Sequence, residues 1–146
     1  MRLAAGFGLL VGVAGLCSVV GCSGNKPLPK ELGPLFPVQG KVTLDGKLLR
    51  GGNVTFFALD HDVKICQPEG LIDPDGNYTV SSYGQSGAPA GKYRVTVLPG
   101  SHDKSMDLAV DDTYQSWENS PLTVTVTENP PAGAYDLKLK KSLNKR

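Results

Sequence analysis

Hydrophobic and polar positions alternate with a period of two in short stretches between residues 38 and 139, and each stretch ends on Gly, Pro, Asn or Asp. That period sends successive side chains to opposite faces of a strand, so the pattern predicts strands joined by turns. Val38, Gly40, Val42 and Leu44 alternate with Gln39, Lys41 and Thr43, and Asp45-Gly46 supplies a turn that tolerates positive φ. Residues 53–59 bring β-branched and aromatic side chains suited to a pleated surface. Residues 64–72 make a weaker strand, because Pro68 and Gly70 confine it to an edge or a bulge. Asp73-Pro74-Asp75-Gly76 has the composition of a tight turn, and residues 77–81 resume the alternation, so 64–72 and 77–81 are expected to pair as a hairpin.

The cleanest alternation lies at 92–98, with Tyr93, Val95 and Val97 on one face and Lys92, Arg94 and Thr96 on the other. This strand is expected near the centre of a sheet. Residues 99–120 are polar and hold the only Trp, Trp117, so they read as a long connection with about one turn of helix; long connections in compact domains are commonly functional. Alternating strands at 121–126 and 134–139 close the pattern. The fold class that follows is all-β, a single seven-stranded antiparallel β-sandwich with Greek-key connections over residues 37–141.

Ahead of the strands, Arg2 precedes an uncharged run from Leu3 to Val20, followed by the small residues Gly21 and Ser23, which is the layout of a secretory signal peptide. A membrane-spanning helix needs roughly 20 apolar residues. Here Gly6, Gly8, Gly12 and Gly15 each cost about 1 kcal/mol of helix propensity, which disfavours a retained anchor helix. Val19-Val20-Gly21-Cys22 resembles a bacterial lipobox, in which the cysteine thiol is acylated and becomes the mature N-terminus. The resemblance implies a leader at 1–21, lipidation at Cys22 and a protein held on a membrane surface outside the cytoplasm, in the cell envelope. Stable attachment needs more than one acyl chain, and lipoproteins of this kind carry two or three. A signal peptide cleaved elsewhere is the competing reading. Pro27, Pro29, Pro34 and Pro37, with Gly24 and Gly33, then predict a semi-extended spacer over 22–36.

Several segments share a family likeness. VQGKVTLDGKLL at 38–49, NVTF at 53–56, DPDGNYTV at 73–80 and PAGKYRVTV at 89–97 together resemble a carboxypeptidase regulatory-like domain of the transthyretin-like sandwich type. SPLTVTV at 120–126 with YDLKL at 135–139 is similar to small planctomycete-type lipoproteins that carry this domain alone. The resemblance implies a non-catalytic companion or a surface binding module. That inference is an analogy, because function lives in sites.

Composition narrows the choices. Removal of the leader leaves about 125 residues, enough for one domain with a modest core. A net charge of +1 gives no electrostatic footprint for nucleic acid. Lys138, Lys140, Lys141, Lys145 and Arg146 concentrate positive charge at the C-terminus, with 142–146 reading as a basic, solvated tail. Of three cysteines, Cys17 leaves with the leader and Cys22 is lipidated, so Cys66 is expected to be buried as a small hydrophobe and no disulfide framework supports the fold.

No catalytic or metal-binding constellation stands out, and neither an enzyme activity, a cofactor nor a small-molecule substrate is expected. Asp73, Asp75 and Asn77 alternate as in a calcium loop, but Gly76 and Gly84 fall where such a loop would not place them. His61 and His102 have no ligand-spaced partner, the Asp103, Asp107, Asp111 and Asp112 group reads as solvated, and no Gly-x-Ser-x-Gly elbow occurs. The C-terminal Tyr-Arg-Gly-Ser signature of transthyretin-like 5-hydroxyisourate hydrolases is absent. Trp117 and Tyr114 remain as candidate binding residues, either stacking on a ligand or plugging the open end of the core. The function expected is a structural or protein-interaction module, with a glycan- or peptide-binding accessory protein using the Trp117 loop as the alternative.

Overall fold

The computed structural model describes residues 27–60, 66–100 and 110–142. The leader, Cys17, Cys22, His61, His102, Asp103, Asp107 and the tail residues Lys145 and Arg146 lie outside them. The strands in chain order are β1 (Leu35–Phe36), β2 (Gln39–Leu44), β3 (Lys47–Leu48), β4 (Gly52–Ala58), β5 (Glu69–Leu71), β6 (Asn77–Thr79), β7 (Ser81–Ser82), β8 (Gln85–Ser86), β9 (Ala88–Pro89), β10 (Gly91–Pro99), β11 (Thr123–Val126) and β12 (Leu137–Leu139). Short 3-10 turns occupy Lys30–Leu32 and Asp112–Gln115. The chain is therefore all-β, arranged in several sheets.

The larger sheet has the order β11-β10-β4-β5-β7-β8. β10 pairs on both sides, which is the central place its clean alternation predicts. The smaller sheet runs β12-β2-β3, with β6 also on β2. Asp45 and Gly46 join β2 to β3 with φ of 48° and 80°, as expected of that dipeptide. The two sheets share one chain path. β6 pairs with β2, β7 pairs with β5, and Val80 between them is fully buried while its amide donates to the Val38 carbonyl at 2.9 Å.

Alternation sets the core. Val54, Phe56 and Ala58 of β4, Tyr93, Val95 and Val97 of β10, and Val124 and Val126 of β11 turn inward and join Val42, Leu44, Leu137 and Leu139 of the smaller sheet in one cluster. Phe56 meets Tyr93 edge-on at 5.7 Å between centroids, and Tyr78 at 6.3 Å. The Tyr78 hydroxyl donates to the Tyr135 carbonyl at 2.6 Å. A side chain on Gly40 would collide with that same carbonyl, so glycine is what allows residue 135 to approach β2. The buried Tyr78 hydroxyl thus has a partner, without which its burial would cost about 1–3 kcal/mol.

Four features differ from the sequence reading. β12 runs parallel to β2, so the strands are not all antiparallel: β12 arrives from the other sheet through residues 127–136 and is free of the reversal a tight hairpin imposes. In the 64–72 region only Glu69–Leu71 is strand among the described residues, and Pro68 contributes just its carbonyl, which accepts from the Phe56 amide. The expected hairpin does form, with Glu69 opposite Ser81 and Ile72 opposite Tyr78, although its second arm is split at Val80. Leu35–Phe36, expected at the end of the spacer, pair with Ala88–Pro89, and Phe36 packs on the core.

Candidate functional site

The alternation that turns Phe56 inward turns Asn53, Thr55, Phe57 and Leu59 outward, and sends Lys92, Arg94, Thr96 and Leu98 of β10 to the same outer face. Register places Arg94 beside Phe57, and Asn53 between Leu98 and Leu71. Of the five exposed large hydrophobic residues among the described ones, Leu59, Leu71, Leu98 and Trp117 belong to this face; Leu48 alone lies in the smaller sheet. A solvated sheet face is ordinarily polar, so the concentration points to a surface with a task.

Trp117 reaches this face because the segment before β11 is clamped at four points. Asp111 caps the second 3-10 turn by accepting from the Thr113 amide and hydroxyl, each at 2.9 Å. Tyr114 then turns into the core, and its hydroxyl accepts from the Lys140 amide at 3.1 Å. Arg94 holds the following turn from below. Its Nη1 donates to the carbonyls of Trp117 at 3.2 Å and Glu118 at 3.1 Å. Finally the Ser120 hydroxyl donates to the Val95 carbonyl, returning the chain to the sheet edge. Trp117 is left over Phe57, with 6.2 Å between ring centroids and 31° between ring planes, and is 52% exposed.

The two aromatic candidates are therefore separated by the fold. Tyr114 is buried and its ring offers no open face, whereas Trp117 presents an indole to solvent. Phe57, out of phase with Val54 and Phe56, was expected to cover the second face of its sheet or to be exposed, whereas Arg94 was not singled out by the sequence. The alternation did place Arg94 outward, but its acceptors are main-chain carbonyls 23 and 24 residues away, which leave no side-chain signal. Such a site can stack on a flat or apolar group and exclude water from it.

Other candidate chemistry resolves into local structure. The Asp73 carboxylate accepts from the Asp75 and Asn77 amides at 2.9 and 2.8 Å and from the Asn77 side chain, an arrangement that closes the turn. Those bonds, the Asn77 amide first, hold its carboxyl below the usual value of 3.8. Among the described residues no three His, Cys, Asp or Glu side chains gather where they could hold a metal ion. Cys66 is buried and unpaired, as its lack of a partner cysteine predicts. No helix among the described residues is long and apolar enough to cross a membrane. Comparison with protein families, with curated proteins and with solved structures finds no match to this chain.

Proposed function

We propose that this chain is a lipid-anchored protein of the bacterial cell envelope whose β-sandwich, of the seven-stranded Greek-key transthyretin-like type, is a non-catalytic protein-interaction module. Its partner is engaged through the outer face of the larger sheet at Trp117. The observation that carries this reading is the half-exposed indole held over Phe57 by the Arg94 clamp. Buried or half-buried aromatic anchors beside arginine are the residues that dominate binding energy at protein interfaces. β11, next to this surface, pairs on one side only among the described residues, so an extended segment can also add to its edge. The apolar leader ending on Cys22 supports the anchor.

The experiment combines two readouts on the full chain. Intact mass of the wild type and of Cys22→Ala, expressed in a bacterial host, should show an acylated N-terminus at Cys22 in the first and not in the second. Envelope proteins retained by the wild type should be lost from Trp117→Ala while Tyr135→Phe retains them. An unacylated wild-type chain removes the anchor, and equal retention by Trp117→Ala removes the surface. The glycan-binding alternative is favoured by the open indole face. Because Trp117 is the only tryptophan, a saturable change in its emission on adding envelope polysaccharide would select that alternative over a protein partner.

A further inference from the structure

A second feature of the outer face lies about 14 Å along β4 from Phe57, four residues away at about 3.4 Å each. Leu98, Asn53 and Leu71 stand side by side on three neighbouring strands. With strands about 4.8 Å apart, the two leucines flank Asn53 at a separation of about 10 Å. Leu71 is 78% exposed and Leu98 46%, so neither contributes much to the core. They border a groove of about 770 Å³, within the range of roughly 300–1,000 Å³ that small-ligand sites occupy.

The groove is shaped by glycine. Gly51, Gly52 and Gly100 bring two chain segments together backbone to backbone, with the Gly100 amide donating to the Gly51 carbonyl at 3.3 Å. Gly52 has φ of 128°, and a side chain there would run into the Leu98 carbonyl; one at Gly100 would meet the Gly52 amide nitrogen at 2.7 Å. Only backbone fits at these positions, and the surface they form is left without side chains. Among the described residues lining the groove, Arg50 is the one ionisable side chain and none carries a carboxylate.

Two exposed leucines, a side-chain amide between them and an arginine among the lining residues define the complement. We propose that this groove binds a small anionic amphiphile, a fatty carboxylate whose chain lies along Leu71 and Leu98 and whose head group pairs with Arg50. A planar guanidinium matches a carboxylate through two parallel hydrogen bonds. The methylenes leave water against the leucines, which supplies the affinity, while the single charge sets the orientation. Asn53 faces the ligand between the two walls and can bond a polar atom near the head group. This site is independent of the Trp117 surface.

Displacement of the anionic apolar dye 1-anilinonaphthalene-8-sulfonate from the full chain tests the assignment, with submicellar dodecanoate and dodecanol as competitors. Dodecanoate should displace the dye saturably at one site, and dodecanol at least tenfold less well. Leu71→Ser and Leu98→Ser should each weaken dodecanoate at least tenfold. Arg50→Gln should weaken dodecanoate about tenfold and leave dodecanol unchanged. Leu48→Ser, which removes the exposed leucine of the smaller sheet, should change nothing beyond twofold. Because the altered side chains are exposed, thermal midpoints should stay with the wild type, and Leu71→Asn provides a second substitution at the wall. Absence of saturable dodecanoate binding, equal binding of dodecanol, or an equal loss in Leu48→Ser would each overturn the proposal.

Discussion

The inner and outer faces of the larger sheet are made by the same strands, and both carry aromatic and aliphatic residues, yet they serve different ends. Phe56 and Phe57 are chain neighbours in β4. Phe56 is fully buried between Tyr78 and Tyr93, whereas Phe57 is half-buried and, among the described residues, makes its ring contact with Trp117. The segment ahead of β11 repeats the contrast: Tyr114 turns into the core and Trp117 turns out, three residues later. Apolar residues on the inner face are accounted for by folding. Those on the outer face are not, and it is their positions that single out places where another molecule can take the burial the fold leaves unused.

The comparison breaks most readily at Phe56. Replacing it by Ala leaves a cavity under three strands and should cost about 4 kcal/mol, a large share of the 5–15 kcal/mol by which domains are ordinarily stable. Phe57→Ala, one residue along, should cost about 1 kcal/mol, since it removes one partly solvated ring contact. Urea unfolding of both variants measures the difference directly. Similar losses at the two positions would mean that the outer face is a second core covered by another part of the chain.

A smaller version of the same test uses Tyr114 and Trp117. Tyr114→Ala removes a buried ring and leaves the Lys140 amide without its acceptor, so a loss of about 3 kcal/mol is expected. Trp117→Ala should lie within about 1 kcal/mol of the wild type. If Trp117→Ala proved the more destabilising, the indole would be a structural lid and the binding surface would have to be sought elsewhere.

Much of this division was legible in the residue pattern, and what escaped it has a common cause. Alternation and turn composition put Tyr93, Val95 and Val97 on one face, put β10 at the sheet centre, located the Asp45-Gly46 turn and expected residues 64–72 and 77–81 to pair. Those are local properties. The parallel union of β12 with β2, the transfer of the chain from one sheet to the other at Val80, and the pairing of Leu35–Phe36 with Ala88–Pro89 all depend on contacts between distant residues. Pro-rich composition made residues 22–36 read as a spacer because proline weakens strands without forbidding a two-residue edge pair. Tyr114 and Trp117 looked equivalent in a polar connection. Their separation rests on the Lys140 amide and the Arg94 guanidinium, and neither partner is near them in the chain. Leu98 falls in phase with the polar positions Lys92, Arg94 and Thr96, but Leu71 lay in the weakest expected strand, so their adjacency across Asn53 could not be read.

Arg94 sharpens the comparison without disturbing the core. Its guanidinium spans from the outer face to two carbonyls of the Trp117 turn, and its Nε is buried with no partner among the described residues. Arg94→Gln should free the turn while costing about 1 kcal/mol or less in stability. Trp117 emission should then shift to longer wavelength and its anisotropy should fall, because the indole loses its fixed position over Phe57. An unchanged spectrum would show that packing against Phe57, and not the clamp, positions the indole.

The smallest expected effect concerns protonation beside the inner face. Cys66 is buried at 6% exposure next to Ser82 and Tyr93. Burial pushes its thiol above the ordinary 9.0, outweighing the hydrogen bond with Ser82 that pulls it down. As pH rises past 9.0 the unfolded chain loses this proton first, while the folded chain keeps it. The resulting contribution is therefore complete below 9.0 and is lost as pH rises through the higher folded value. Burial also raises the phenols of Tyr78 and Tyr93, so the wild type and Cys66→Ala should both weaken further in alkali. The difference between the two isolates the thiol. It should be constant below about pH 8 and then change with a slope of at most about 1.4 kcal/mol per pH unit, the limit for one proton. Parallel stability curves across that range would place the thiol in contact with water when folded, and would remove Cys66 from the buried side of the comparison.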